Sequence, residues 1–215
     1  PDYVTPPMTI PDTKENRKDM ADFMYSARIA DDSVGVVLDA LKRSGREDDT
    51  IVIFTTDHGI AFPFMKCSCY DTGIGVTLIM KFAGNQAAGK VSDSLISQID
   101  VYPTLCDLLE IEKPDYLQGR SFAGLFDNPE LEINEEVFAE VTYHAAYEPM
   151  RCIRTSRYKL IRYFDYHNGY VPANIDASPS KDSMIEAGLL KQTREREMLF
   201  DLALDPLERN NLVNS

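Results

Sequence analysis

The sequence predicts an α/β fold, in which part of an α/β sandwich precedes a small antiparallel sheet. A long segment with apolar residues at three- and four-residue steps ends near residue 43, and two short apolar runs follow at 51–54 and 76–81. Beyond Gly119 the chain changes to short segments rich in β-branched and aromatic residues, which are typical of antiparallel strands. Helix, strand, loop, strand and helix is the element order of an α/β layer.

Composition places the chain among folded globular proteins and argues against two classes of partner. It has 215 residues, of which 44% are hydrophobic and 27% are charged. The formal net charge of −13 argues against nucleic-acid binding, which depends on basic surface. No apolar run reaches the roughly 18 residues of a membrane span. We therefore expect neither nucleic acid nor a membrane as a partner.

The four cysteines are predicted to be free and mostly buried. No pair shows the C-x-x-C spacing of a zinc site, and a chain of this size does not need disulfide bonds for stability. Unpaired cysteines favour a cytoplasmic location over a secreted one, although an upstream signal sequence would reverse that assignment. The four residues are Cys67, Cys69, Cys106 and Cys152.

The first elements of the chain are a lead-in and a helix. Four prolines predict an irregular segment over residues 1–13. The apolar steps then predict an amphipathic helix from about Lys14 to Arg43, bent near residues 31–33. Gly45 provides a stop signal for this helix.

The remaining elements of the first part are two strands and an interrupted helix. Strands are expected at 50–56 and 76–81, where apolar residues are contiguous. Residues 95–109 have helical spacing, but Pro103 is expected to break it. We assign residues 1–125 to the α/β part of the chain.

Residues 126–215 are predicted to form a small antiparallel β subdomain with a long surface loop. The two central strands form a hairpin turning at 156–157, because β-branched and aromatic residues flank a polar tip. Residues 167–193 have weak periodicity, two prolines and two glycines, so we expect an irregular excursion of the kind that often covers a site. The predicted strands are 136–142, 150–154, 158–164 and 198–202.

Asp57 and His58 follow the apolar run at 51–54 after two threonines. In α/β proteins, a buried strand that ends in a carboxylate and an imidazole delivers ligands to a metal at the edge of the sheet. We therefore interpret Asp57 and His58 as ligands of a divalent metal. The alternative is an ordinary turn, because Asp and Gly are also common after strands.

Two sets of basic residues are candidates for anion binding. Lys66 lies on the loop after the metal-ligand pair, where a lysine would bind an anionic oxygen and stabilise a departing charge. The alternative is an exposed loop lysine without a function. A second set in the predicted hairpin forms either a basic patch or only a solvated edge. Its members are Arg151, Arg154, Arg157, Lys159 and Arg162.

The residues around Asp57 match a known pattern. Residues 50–59 read TIVIFTTDHG, and residues 70–76 read YDTGIGV. In this text the chain resembles the sulfatases of the alkaline phosphatase superfamily, and further matches run almost end to end. Within that family, IAFP at 60–63 and PMR at 149–151 are most similar to the heparan N-sulfatase (sulfamidase) branch. Gly75 and Thr77 replace an arginine and a proline of the pattern.

The resemblance implies a hydrolase that cleaves a sulfate ester or sulfamate on a sulfated sugar, with a formylglycine nucleophile and a metal bound to the sulfate oxygens. Asp57 and His58 would be metal ligands, and Lys66 would contact the sulfate group. Calcium is the first expectation, because it favours carboxylate oxygens. Imidazole suits softer metals better, so manganese, zinc or iron stay open.

His144 and Arg151 are the other substrate-binding candidates. In the branch that the chain resembles, histidines near the substrate often precede the hairpin, as His144 does here, and Arg151 opens that hairpin. A lone histidine is also common as a surface or structural group, so that alternative stays open.

The nucleophile of the family is not encoded in this sequence. It derives from a Cys or Ser that opens the motif C/S-x-P-x-R, and no residue here satisfies that pattern. We therefore expect the carboxyl-terminal part of a longer sulfatase, whose amino-terminal half is its partner. The chain alone is expected to be inactive and to bind metal weakly, since two ligands fall short of the roughly six to eight oxygens that calcium collects.

Two other functions stay open. A phosphodiesterase or phosphonate hydrolase of the same superfamily would use the same metal, lysine and anion pocket. A non-catalytic module would instead bind an acidic glycan through the basic hairpin, and its Asp-His-Gly turn would be structural.

Overall fold

The computed structural model describes residues 3–214. Its helices are α1 (Lys14–Arg43), α2 (Asp71–Ile74), α3 (Val101–Leu108) and α4 (Pro179–Glu186). Its strands are β1 (Val52–Thr55), β2 (Leu78–Lys81), β3 (Glu136–Tyr143), β4 (Tyr147–Thr155), β5 (Tyr158–Tyr163) and β6 (Glu197–Asp201). β1 pairs with β2, and β3 to β6 form an antiparallel sheet in sequence order. The predicted succession of an α/β part and a small antiparallel sheet is confirmed.

Helix α1 has the predicted bounds, because its caps are encoded locally. Thr13 is the N-cap, and its hydroxyl oxygen accepts a hydrogen bond from the Asn16 N–H at 3.2 Å. After the helix, Gly45 has a φ of 68°, which glycine adopts without strain. The bend near residues 31–33 stays a prediction. The irregular lead-in is confirmed over residues 3–13, whereas Pro1 and Asp2 lie outside the described residues.

Part of the apolar face of α1 is exposed. Helix α4 packs against α1, where Ser180 donates its hydroxyl hydrogen to Asp19 Oδ2 at 2.5 Å. On this face, Met24 is 51% exposed and Val37 is 66% exposed. The amphipathic pattern therefore predicted the helix correctly, although little of this chain covers its apolar face. No helix within residues 3–214 combines the length and the apolar character that crossing a membrane requires.

Strand β1 is partly exposed, so the prediction of a buried strand is wrong for this chain. Val52 and Ile53 are partly buried, whereas Phe54 is 42% exposed. β1 pairs antiparallel with β2, with Ile53 opposite Met80. Among the described residues no third strand joins this sheet, so one edge of β1 has no pairing partner.

Pro103 lies at the start of α3 and does not break it. The helix begins at Val101, so Pro103 falls in the first turn, where a backbone N–H has no partner inside the helix. A short 3₁₀ turn, Gln98–Asp100, precedes the helix. In place of the interrupted helix predicted over 95–109, the structure has this 3₁₀ turn followed directly by α3.

The four-stranded sheet has a hydrophobic core on one face. Cys69, from the loop after β1, enters this core, and Tyr70 and Ile74 pack against it. The two predicted parts of the chain therefore share a core, and the boundary between 1–125 and 126–215 stays a prediction. The hairpin turn at 156–157 is confirmed, and all four cysteines are free. The buried core residues of the sheet include Met150, Cys152, Ile161, Tyr163, Met198 and Phe200.

The 167–193 excursion contains a helix that was not predicted. Ser178 is the N-cap of α4, and its side-chain oxygen accepts a hydrogen bond from the Lys181 N–H at 3.1 Å. Pro179 occupies the first helical position, which suits its fixed φ. Ser178 and Pro179 therefore start a helix here. The sequence did not predict this helix because its apolar periodicity is weak.

Candidate functional site

Asp57 and His58 lie in the bend after β1, and their side chains converge. The Oδ1 atom of Asp57 is 3.5 Å from the Nε2 atom of His58. The other ring nitrogen, Nδ1, is 2.6 Å from the carbonyl oxygen of Gly59. In the neutral tautomer that donates from Nδ1 to this carbonyl oxygen, Nε2 presents a lone pair beside the carboxylate. Metal-binding histidines in proteins are oriented by this kind of hydrogen bond.

The Asp57–His58 pair fits one side of a divalent-metal site. A carboxylate and an imidazole are both ordinary metal ligands, and the Asp57 side chain is 88% exposed. Over residues 3–214, no group of three or more His, Cys, Asp or Glu side chains is placed to hold a metal ion. A third His, Cys, Asp or Glu ligand would have to come from outside the described residues.

Two glycines, Gly59 and Gly73, allow the loop after β1 to pack closely against α2. A Cβ atom on Gly59 would lie 1.9 Å from the carbonyl oxygen of Thr72, and one on Gly73 would lie 2.3 Å from that of Met65. The N–H of Gly59 donates to the carbonyl oxygen of Gly73 at 2.9 Å. A larger residue at either position would displace the loop. The glycines of the motif therefore shape the predicted site.

Lys66 lies on this loop, flanked by strained backbone. Phe64 and Cys67 have φ values of 64° and 60°, a left-handed conformation that costs roughly 1–2 kcal/mol for a residue with a side chain. The Lys66 Nζ atom is 2.8 Å from Asp176 Oδ2, and its side chain is only 20% exposed. The hydrogen bond to Asp176 raises the pKa of Lys66. The alternative of an exposed loop lysine is therefore wrong.

His144 lies in the exposed turn between β3 and β4. Asn174, a buried residue of the 167–193 excursion, holds this turn. Its Oδ1 atom accepts hydrogen bonds from the N–H groups of Ala145 at 3.1 Å and Ala146 at 2.8 Å. Its Nδ2 atom donates to Glu148 Oε2 at 3.0 Å. The backbone beside His144 is thus fixed by the excursion.

Arg151 lies on the exposed face of the four-stranded sheet, where its side chain is 64% exposed. Its Nε atom donates to Glu140 Oε2 at 2.9 Å, and its guanidinium lies 5.1 Å from the centroid of the Phe164 ring. Within residues 3–214, no hydrogen bond or ion pair joins Arg151 or His144 to Lys66. The structure thus brings Asp57 and His58 together, and the substrate roles of His144 and Arg151 stay predictions.

The basic residues of the hairpin do not form one patch. Lys159 is fully buried, and its ammonium forms ion pairs with Asp71 and with Glu208, the latter at 2.8 Å. Arg154 also pairs with Asp71. The predicted patch is wrong because side chains alternate along β5, which places Lys159 and Arg162 on opposite faces of the sheet.

Three polar residues of this region were missed by sequence reasoning: Asp71, Asn174 and Asp176. Burial by itself would raise the pKa of Asp71, but its pairing with Arg154 and Lys159 holds that pKa below the usual value. Arg154 is 83 residues from Asp71, and Lys66 is 110 residues from Asp176. Local patterns carry no signal for pairings over such separations.

Comparison with known families and proteins identifies sulfatases. Residues 57–186 match the family described as N-sulphoglucosamine sulphohydrolase, C-terminal. An ulvan-active sulfatase of Formosa agariphila is 28% identical over 97% of this chain and 37% of its own length. The human N-sulphoglucosamine sulphohydrolase is 27% identical over 96% of this chain and 46% of its own. Arylsulfatase K of Bos taurus is 31% identical over 94% of this chain and 34% of its own length. The chain thus spans less than half the length of each relative.

Solved structures share the fold. A 2-O GAG sulfatase has a TM-score of 0.71 at 27% identity, covering 93% of this chain and 39% of that one. A protein solved with its substrate, D-glucosamine-2-N,6-O-disulfate, has a TM-score of 0.72 at 20% identity. The match covers 94% of this chain and 37% of that one. These neighbours have the alkaline-phosphatase-like fold of sulfatases, which confirms the predicted fold class.

Proposed function

Because this chain belongs to the N-sulphoglucosamine sulphohydrolase C-terminal family, we propose that it forms the carboxyl-terminal part of a sulfatase that hydrolyses a sulfate ester or sulfamate on a sulfated sugar. The names of its relatives support this reaction. An ulvan-active sulfatase and a structural neighbour bound to a disulfated glucosamine support a sulfated sugar as the substrate class. The nucleophile, a formylglycine, belongs in this proposal to the amino-terminal part that the longer relatives have.

The observation that carries the proposal is the convergence of Asp57 and His58, with 3.5 Å between Oδ1 and Nε2. These two residues hold a divalent metal in our proposal, with calcium first and manganese or zinc as alternatives. The metal would stabilise negative charge on the sulfate oxygens. Asp57 and His58 alone would bind it weakly, because they provide few of the required ligands.

Lys66 is the proposed contact to the sulfate group. An ammonium has three N–H donors, and the hydrogen bond to Asp176 uses one of them. The positive charge on Lys66 favours an anionic substrate and stabilises the charge that develops on the departing group. His144 and Arg151 are proposed to contact the sugar from the β3–β4 turn and the exposed sheet face. The chain alone is proposed to be inactive.

The test is Asp57→Asn in the full-length enzyme, assayed with a sulfated glucosamine. We expect kcat/KM to fall by about 100-fold or more, because even residues that only support a metal ligand cost about 10- to 100-fold. Asp48→Asn is the matched control. It removes an equal charge from an exposed position just before β1, and its kcat/KM is expected to match wild type.

Unchanged turnover in Asp57→Asn would rule the proposal out. Hydrolysis of a phosphodiester but not of the sulfated sugar would identify a phosphodiesterase or phosphonate hydrolase instead. Binding of an acidic glycan without turnover would identify a non-catalytic module.

A further inference from the structure

We propose that Asp176 is a positioning residue, which holds the ammonium of Lys66 in place for the anionic group of the substrate. This inference rests on the proposed function, because it deepens the role of Lys66 in the same site. Asp176 belongs to the 167–193 excursion and Lys66 to the loop after β1, so the two residues come from distant parts of the chain. Their ion pair, at 2.8 Å, is the link between these segments on which the proposal depends.

The excursion is packed against the Lys66 loop at two further points. The ring of Tyr170 meets that of Phe64 edge to face, with 5.2 Å between centroids. Met184, on α4, packs against the cluster that includes Phe62 and Met65. Aromatic and aliphatic contacts of this kind resist separation of the two segments. Asp176 is therefore carried by a segment that is fixed relative to the Lys66 loop.

A buried anchor lies two residues before Asp176. Asn174 is 3% exposed, and its side-chain amide binds the β3–β4 turn and Glu148. Glu148 is also paired with the buried Arg194, whose guanidinium binds both oxygens of Asp165. A buried network with satisfied partners is rigid. Asn174 thus anchors the backbone beside Asp176, whose own side chain is 41% exposed.

The ion pair with Asp176 lowers the entropy that Lys66 loses when it binds an anion. A free lysine side chain has about 2 kcal/mol of rotamer entropy, which an anion would have to overcome on binding. The ion pair restricts the side chain in advance and leaves two N–H donors for oxygen atoms of the substrate. The left-handed backbone at Phe64 and Cys67 restricts the loop on both sides of Lys66 as well. Strain of this kind is concentrated at functional sites.

Three titratable groups act on Lys66. The Asp176 carboxylate has the largest influence, as it raises the pKa of Lys66, whereas burial lowers it. Cys67 and Asp57 each add a smaller raising influence. Removal of the Asp176 charge should therefore lower the pKa of Lys66.

The contact itself is tested in the 215-residue chain, without any substrate. The side-chain ammonium of Lys66 is titrated by NMR in wild type, Asp176→Asn and Glu186→Gln. Asp176→Asn keeps the shape and an acceptor oxygen but loses the charge, so the pKa of Lys66 should fall in this variant. Glu186→Gln removes an exposed carboxylate from the same excursion and should leave the pKa of Lys66 unchanged. Equal titration of all three proteins would overturn the proposal.

The functional step is tested in the full-length enzyme. For Asp176→Ala we expect kcat/KM to fall by about 10- to 100-fold, the range that misplacement of a binding group by about 1 Å can produce. The alkaline limb of the pH profile of kcat/KM should also move to lower pH in Asp176→Asn, and Asp176→Glu should recover part of the lost activity. A residue with only a structural role would lower activity without moving this limb.

The outcomes separate the two proposals. Loss of activity in Asp57→Asn with wild-type kcat/KM and pH profile in Asp176→Asn would overturn the positioning role and leave the sulfatase proposal in place. Wild-type turnover in Asp57→Asn would overturn both.

Discussion

The four-stranded sheet and the α1–β1 region differ in how much apolar surface this chain covers. Ile161, in the centre of the sheet, is fully buried, whereas Val37 on α1 is 66% exposed. The sheet completes its own core with help from Cys69, while α1 is covered over part of its length by α4. The contrast indicates a region that is stable within this chain and a region whose apolar surface is left without a partner. It supports the proposal that the chain is part of a longer enzyme.

The sharpest test of this comparison is the buried ion pair beneath the sheet. In Lys159→Met, Asp71 and Glu208 lose their buried partner, and breaking such a pair costs about 3–5 kcal/mol of unfolding free energy. Arg162→Met, on the opposite face of β5, should cost less than about 1 kcal/mol, since its partner Glu197 is exposed to solvent. Chemical denaturation measures both. Similar effects of the two variants would mean that Lys159 is not buried as described.

A second test compares truncation to alanine in the two regions. Ile161→Ala removes buried methyl groups from the sheet core, which should lower the unfolding free energy by about 2–5 kcal/mol. Val37→Ala removes exposed methyl groups, so we expect a change within about 0.5 kcal/mol. Denaturation midpoints of the two variants provide the comparison. A large effect of Val37→Ala would show that the exposed face of α1 is covered in this chain.

Acid unfolding tests the same core through Asp71. Its pKa is lower in the folded state than in the unfolded chain, so its stabilisation is complete above the unfolded pKa and is lost as the pH falls through the folded value. Burial raises the pKa of Glu208, which contributes with the opposite sign. We expect Asp71→Asn to lose less stability than wild type between about pH 5 and pH 2. Parallel pH curves of the unfolding free energy would contradict this account.

The smallest expected effect concerns the helix that sequence reasoning missed. Ser178→Ala removes the N-cap of α4 and should lower the unfolding free energy by about 1 kcal/mol. Ser156→Ala, in the exposed β4–β5 turn, is the control and should be nearly neutral. Thermal denaturation can resolve the difference. An equal response to both substitutions would argue against a capped helix at this position.

Local sequence signals account for most of the fold. The bounds of α1 and the turn at 156–157 were predicted because caps, apolar steps and turn residues act over a few positions. Predictions failed where burial depends on distant partners, as in the partly exposed β1 strand and the buried Lys159. The proposed site shows the same division: Asp57 and His58 are adjacent in sequence and were predicted together, whereas the partner of Lys66 was not.

The most direct test of the proposed metal site is a manganese titration of the 215-residue chain followed by NMR. Bound Mn²⁺ broadens nearby resonances, so we expect broadening centred on Asp57 and His58, weak affinity, and loss of the effect in Asp57→Asn but not in Asp48→Asn. Broadening that is absent at these two residues, or that persists unchanged in Asp57→Asn, would contradict the assignment of this pair as metal ligands.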